Sequence, residues 1–211
     1  MKLVVFGASG RTGHLVVAQA LTRGVEVTAF VRRRHRLAPR LGLEIIEGDV
    51  ADAAAVAAAI AGRDVVISAL GVTTPLKSDP VVVAGIDHIV RAMEAGTSRR
   101  LVYLSFIGVA ASRAAAGPLI RYVARLPLRH EIADHELKER RIETSALDWT
   151  IVRAPKLTDG PPTGAYRFGE SITATSLFPR LSRADVAAFL VGEALDARYP
   201  RAAVRLFPAA T

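Results

Sequence analysis

The 211 residues are 51% hydrophobic and 23% charged, a globular composition that excludes a disordered chain and suits one domain with a substantial core. Lys and Arg outnumber Asp and Glu by 28 to 20, a net charge of +8, but the arginines are spread along the chain with no basic tail, so an anionic small molecule accounts for the excess and no nucleic-acid partner is expected. Cysteine is absent and the five histidines lack metal-ligand spacing, which excludes disulfides and thiolate chemistry and leaves no metal site expected; no apolar run is long enough to span a bilayer, so a cytoplasmic chain without membrane contact is expected.

The chain opens on a strand, Lys2–Phe6, too short for a signal-peptide core and apolar enough to be buried. Gly7, Gly10 and Gly13 follow at once, spaced G-x-x-G-x-x-G, and a helical pattern covers 11–23. Strand, Gly-rich turn and helix in that order make a phosphate cradle. Glycines let the backbone approach a pyrophosphate without Cβ clashes, and the helix N-terminus offers N–H groups and partial positive charge. A dinucleotide is the expected ligand.

The second strand, Val25–Val31, runs into Arg32, 19 positions after Gly13. That is close to the ~20 at which such sites read the adenosine ribose. NAD-preferring sites carry Asp or Glu there; this strand end carries Arg32 with more Arg behind it, a fork that matches a 2′-phosphate. NADP(H) is therefore the expected cofactor. Arg11 at the first helix adds a second cation. Next come a strand at Leu43–Glu47 and then Asp49 and Val50. Asp49 is placed to accept from the adenine amino group, or simply to close a turn, and Val50 to lie against the ring. Asp52 serves an Ala-rich helix over 52–61 as its N-terminal cap or as a first-turn carboxylate. The strand Val65–Ala69 ends at Leu70 and Gly71, where small residues let a dinucleotide cross the sheet edge.

A helix over 80–95 opens after Asp79, a strand covers Leu101–Ser105, and a charged helix covers 130–145. The sixth strand, Trp149–Arg153, stops at Pro155. A Gly/Pro loop (Thr158–Gly164), short extended pieces at Ala165–Phe168 and Ile172–Thr175, a Ser182-capped helix at Arg183–Ala197 and a strand at Ala203–Phe207 complete the chain. Strands and helices alternating in this way predict an α/β fold: one Rossmann-type domain over 1–211, a doubly wound parallel sheet with helices on both faces. Residues 154–211 form the acceptor side of its cleft. A monomer is expected, since no helix is over-hydrophobic on its outer face.

The Gly7–Gly13 motif, Val31-Arg32, Gly48-Asp49-Val50, the Ser105 strand end, Leu147–Pro155, the Thr163–Tyr166 turn and the Ser182…Asp185-Val186 helix start together resemble the atypical short-chain dehydrogenase/reductase group. Within it, the chain is most similar to NAD(P)H-binding proteins related to biliverdin-IXβ reductase/flavin reductase. The resemblance implies dinucleotide contacts at Gly7, Ser9, Gly10, Arg11, Thr12, Gly13, Arg32, Arg36, Asp49, Val50, Leu70 and Gly71. It places Ser105, Pro155, Lys156 and Leu157 near the nicotinamide, and matches His135 to a His of the related reductase's substrate pocket. The second His of that pocket is Lys156 here, which weighs against a tetrapyrrole substrate.

Ordinary short-chain dehydrogenases protonate a ketone with a Tyr whose pKa is lowered by a Lys four residues on. No such pair exists here: Tyr103, Tyr122, Tyr166 and Tyr199 are followed at that spacing by Ile107, Leu126, Glu170 and Ala203. Flavin reduction needs no such pair, because the protein mainly holds two planar rings together. Ser105 then orients the carboxamide or the acceptor, or merely bonds its own backbone. Lys156 attracts an anionic acceptor, or is a surface lysine. His135 lines the pocket, or faces solvent. The expected function is hydride transfer from NADPH to a flavin, quinone or similar planar acceptor. The alternatives are a non-catalytic NADP(H) sensor acting on a partner, and a nucleotide-sugar epimerase relative.

Overall fold

The computed structural model describes residues 1–34, 37–71, 78–116 and 129–209. Ten strands and five α-helices occur among them. In chain order they are β1 (Lys2–Phe6), α1 (Gly13–Thr22), β2 (Glu26–Val31), β3 (Leu43–Glu47), α2 (Ala53–Ile60), β4 (Val65–Ser68), α3 (Pro80–Ala95), β5 (Arg100–Phe106), a 3-10 helix at Ala110–Ala115, α4 (Arg129–Glu143), β6 (Asp148–Ala154), β7 (Lys156–Thr158), β8 (Tyr166–Gly169), β9 (Arg180–Ser182), α5 (Arg183–Asp196) and β10 (Ala202–Pro208). The main sheet has the order β3-β2-β1-β4-β5-β6-β10-β8. All its pairings are parallel except the last, where β8 runs antiparallel to β10 at the edge.

Strand order reverses between β1 and β4, the switch point at which open α/β sheets leave a crevice beyond the carboxyl ends of the strands. Alternation along the strands sends Leu3, Val5, Val27, Ala29, Val102, Val152 and Val204 into a core with Val16, Val17, Phe189 and Leu190 of α1 and α5. The opposite residues (Val4, Phe6, Val66, Tyr103, Trp149 and Ile151) pack with Val56, Ile60, Ile86, Ile89 and Met93 of α2 and α3 and Ile142 of α4. Both faces are covered, as expected of a sheet built from near-continuous apolar strands. Trp149 is core.

Local chemistry sets the helix starts. Asp52 accepts from the backbone N–H of Ala54 and Ala55, Asp79 from Val82 with Pro80 in the first turn, and Ser182 from Ala184. Two expectations fail. Ile172–Thr175 is not a strand: its carbonyls accept from Arg205 (at Ile172, 3.1 Å) and Arg167 (at Thr173, 3.2 Å), and the Ala174 N–H reaches across to the Ala115 carbonyl. Residues just past Pro155 form an unforeseen strand, β7, which pairs in parallel with β9. In that pair Leu157 and Leu181 sit opposite each other and face the first core, so Lys156 and Arg180 point the other way.

Candidate functional site

Gly7 sits at φ +79°, a backbone conformation in which a Cβ would lie 2.6 Å from the Ala69 carbonyl oxygen. The turn therefore presses against the end of β4 at the switch point. A Cβ on Gly13 would overlap the Gly7 carbonyl oxygen, and the Gly10 N–H donates to that same oxygen at 2.9 Å. The turn folds back on itself and delivers α1 with Thr12 at its N-cap, where no side chain caps the helix and no acidic residue occupies the first turn. Its orphan N–H groups and positive dipole end are left for an anion. Ser9, Gly10 and Arg11 are exposed there, with Thr12 and Gly13 buried behind them. Leu70 and the exposed Gly71 continue the rim on the β4 side. These residues fit a dinucleotide pyrophosphate.

Arg32 stands exposed at the end of β2, and no described residue pairs with it. Arg34 is committed elsewhere: its guanidinium donates to the Ile45 carbonyl at 2.5 Å and its backbone N–H to the Glu47 carboxylate at 2.9 Å. Glu47 is the acid nearest this strand end that sequence reasoning missed, because it belongs to the neighbouring strand and only the Val31–Glu47 register brings it alongside. Arg36 lies outside the described residues. Arg11 pairs with Asp159 at 3.3 Å, and Asp159 also holds Arg183 at 2.7 Å.

Asp49 closes a turn, accepting from the Ala51 N–H through one oxygen. Val50 is more deeply set than expected. It is 7% exposed and packs beneath α3, where a Cβ on Gly85 would come within 2.8 Å of it. His88 Nδ1 lies 2.8 Å from the Val50 carbonyl oxygen.

The carboxyl ends of β5 and β6 carry a buried polar cluster under α4. Ser105 Oγ donates to Glu139 at 2.5 Å, and Arg153 grips the same carboxylate through Nε at 3.2 Å and a second nitrogen at 2.7 Å. His135 Nδ1 lies 2.9 Å from the Tyr103 hydroxyl and 3.3 Å from Ser105 Oγ. A solvent-facing His135 is thus corrected: the ring is 7% exposed, because α4 turns His135 and Glu139, one turn apart, toward the sheet. Burial, and secondarily the Lys138 ammonium, pushes His135 down to about 3. Burial pushes the Tyr103 hydroxyl well up, helped by the Glu139 and Asp134 carboxylates, so it keeps its proton. The signal for this cluster was present in the sequence as polar residues, Ser105 and Arg153, inside otherwise apolar buried strands.

Pro155 is buried beside this cluster, Leu157 packs into the first core, and Lys156 is exposed. The Lys156 ammonium stands 5.2 Å above the Phe178 ring and the Arg180 guanidinium 5.0 Å from it. The neighbouring Thr163–Gly164 turn is fixed by Asp185, which accepts from both backbone N–H groups and from the Thr163 hydroxyl at 2.8 to 2.9 Å. A depression of about 330 Å³ between Lys2, Glu26, Leu43, Glu44 and Arg63 lies at the amino ends of the strands. That is the opposite end of the sheet from every group above, and the switch-point crevice is the better-founded site.

The model of the NAD(P)H-binding family matches residues 7–197. Among curated relatives, the chloroplastic protein At2g34460 of Arabidopsis thaliana is 30% identical over 177 residues, covering 77% of this chain and 61% of its own length. The protein Rv2047c of Mycobacterium tuberculosis is 32% identical over 105 residues, 50% of this chain. This chain spans only 12% of that protein's length. Among solved structures, the oxidoreductase ylbE of Lactococcus lactis is similar with a TM-score of 0.84 at 19% identity, covering 100% of this chain and 92% of that one. The anaerobilin reductase ChuY of Escherichia coli O157:H7 has a TM-score of 0.80 at 23% identity, covering 99% and 97%. A short-chain dehydrogenase/reductase of Veillonella parvula, solved in complex with NADP, has 0.79 at 19% identity, covering 97% and 93%. At these identities the solved structures establish the shared Rossmann fold.

Proposed function

The chain belongs to the NAD(P)H-binding family, and from that premise we propose that it is an NADPH-dependent reductase passing hydride to a flavin or a similar planar conjugated acceptor. The observation that carries the reading is the chemistry beneath the carboxyl ends of β5 and β6. His135 is held neutral, Tyr103 holds its proton, and the Ser105 hydrogen is committed to Glu139, so none of the three is poised as an acid near neutral pH. Such a site suits an acceptor that needs hydride alone, since water can protonate a reduced flavin afterwards.

When bound, NADPH supplies the hydride. The protein's own residues bind and orient. Gly7, Ser9, Gly10, Thr12 and Gly13 admit the pyrophosphate to the α1 N-terminus, with Arg11 beside it. Arg32 takes the 2′-phosphate, which gives the NADP preference. Asp49 and Val50 hold the adenine, and Leu70 and Gly71 let the dinucleotide cross the sheet edge. Ser105, Pro155 and Leu157 hold the nicotinamide end. Lys156 draws in an anionic acceptor over the side formed by 154–211, and His135 lies behind the reacting rings.

The lack of a poised acid among Ser105, Tyr103 and His135 also favours a second reading, a non-catalytic NADP(H) sensor. Turnover separates the two. Reduced-nicotinamide absorbance is followed with FMN, riboflavin and a simple quinone, beside an NADPH binding titration. Consumption that is lost in Ser105→Ala or Lys156→Ala, with NADPH binding intact, supports the reductase. Tight NADPH binding with no consumption on any acceptor supports the sensor.

A further inference from the structure

The buried cluster under α4 allows its hydrogens to be assigned by elimination. Arg153 carries donors only, and two of them meet the Glu139 carboxylate. That carboxylate accepts the single Ser105 hydrogen, so Ser105 has none to give His135. Tyr103 is fully buried, and His135 Nδ1 is the one described group its hydroxyl reaches. A hydrogen on Nδ1 would leave the Tyr103 hydroxyl buried without an acceptor, an arrangement native interiors avoid. Tyr103 therefore donates, Nδ1 accepts, and the ring hydrogen sits on Nε2.

We propose that Tyr103 is a positioning residue for the reaction: its hydroxyl fixes His135 as the Nε2–H tautomer, so that His135 offers the reacting rings a hydrogen-bond donor and not an acid. The role in turnover rests on the reductase reading, but the tautomer does not. The groups facing the ring are Tyr103 and Ser105 from β5, Lys138 and Glu139 from α4, and Arg153 from β6 behind Glu139. Burial and the Lys138 charge oppose protonation of the ring, so its state is constant across the ordinary pH range.

Two-bond ¹H–¹⁵N NMR of the full ¹⁵N-labelled chain reads the tautomer directly, with the His135 signals assigned by their loss in His135→Gln. The expected spectrum has a bare Nδ1 and a protonated Nε2, unchanged between about pH 8 and 5. Tyr103→Phe removes the donor and leaves Nδ1 facing the Ser105 oxygen at 3.3 Å. The population then moves toward Nδ1–H. With FMN as acceptor, kcat falls about 2- to 10-fold, the scale of one neutral hydrogen bond, while the NADPH Kd stays unchanged. A protonated Nδ1 in the wild type, or an unchanged tautomer in Tyr103→Phe, overturns the proposal. If no acceptor is reduced, the reductase reading fails while the spectrum still decides the tautomer. If Tyr103→Phe does not fold, the wild-type spectrum and that of Ser105→Ala decide it, since Ser105→Ala keeps Tyr103 and must keep Nε2–H.

Discussion

Arg32 and Arg34 leave the end of β2 in opposite states. Arg34 is tied to the Ile45 carbonyl and the Glu47 carboxylate, whereas Arg32 pairs with no described group. A braced arginine ties the end of β2 to β3, and one with no described partner is available to a phosphate. Arg32→Ala should weaken NADPH binding by about 1.5–3 kcal/mol, roughly the value of a hydrogen bond to a charged group, and NADH binding far less. Parallel titrations with both nucleotides check this. Equal losses would remove the 2′-phosphate role.

Gly10 and Gly13 of the turn should separate on mutation. Gly10→Val leaves the backbone path intact but sets a branched side chain where the pyrophosphate must approach. Its own Cβ has only the Gly7 carbonyl nearby, at 3.1 Å. Loss of NADPH binding with a near-normal Tm is expected. Gly13→Val collides with the Gly7 carbonyl itself and should lower the Tm as well as abolish binding. Circular dichroism melts beside binding titrations distinguish the two. Retained affinity in Gly10→Val would mean that the turn is not the cradle.

Arg153 and Glu139 form an ion pair with side chains only 5% and 2% exposed. Removing one member strands the other charge in the core, which costs about 3–5 kcal/mol in comparable buried pairs. Arg153→Ala should therefore lower stability by that order in urea denaturation. It should also free the Ser105–Glu139 contact from its anchor. An effect below about 1 kcal/mol would show that water reaches the pair.

His135 carries a pH signature. Its pKa falls from an ordinary 6.5 in the unfolded chain to about 3 in the fold, so between those values the unfolded state binds the extra proton. Stability from this residue is complete above about pH 6.5 and declines as pH falls toward 3, by up to about 1.4 kcal/mol per pH unit. Urea denaturation at pH 7 and pH 5 should show that loss in the wild type and a smaller one in His135→Gln. Equal acid sensitivity in both proteins would place the ring in contact with solvent.

Much of this was legible in the sequence, for physical reasons that also mark where legibility ends. β1, β3 and α3 fall where apolar runs, the Gly-rich turn and the Asp79-Pro80 start place them, because these signals are local. β7 and β9 were not read, because three residues cannot display a period and their partners lie 24 positions apart. Ile172–Thr175 alternates like a strand, yet it is held by Arg167 of the neighbouring β8 and by Arg205 of β10. α4 reads as a solvated, charged helix, while the structure buries His135, Lys138 and Glu139. The partners of His135 and Glu139 sit on β5 and β6, and no local pattern announces a polar contact between a helix and a strand so far apart in sequence.

Val50 and Gly85 pack against each other, the one just past the carboxyl end of β3 and the other inside α3. Bulk at one position must be matched by smallness at the other. Among relatives of this chain, the two positions should therefore vary together, with a larger residue at 85 accompanied by a smaller one at 50. A change in shape at that end of β3 would then have to pass through the packing of α3.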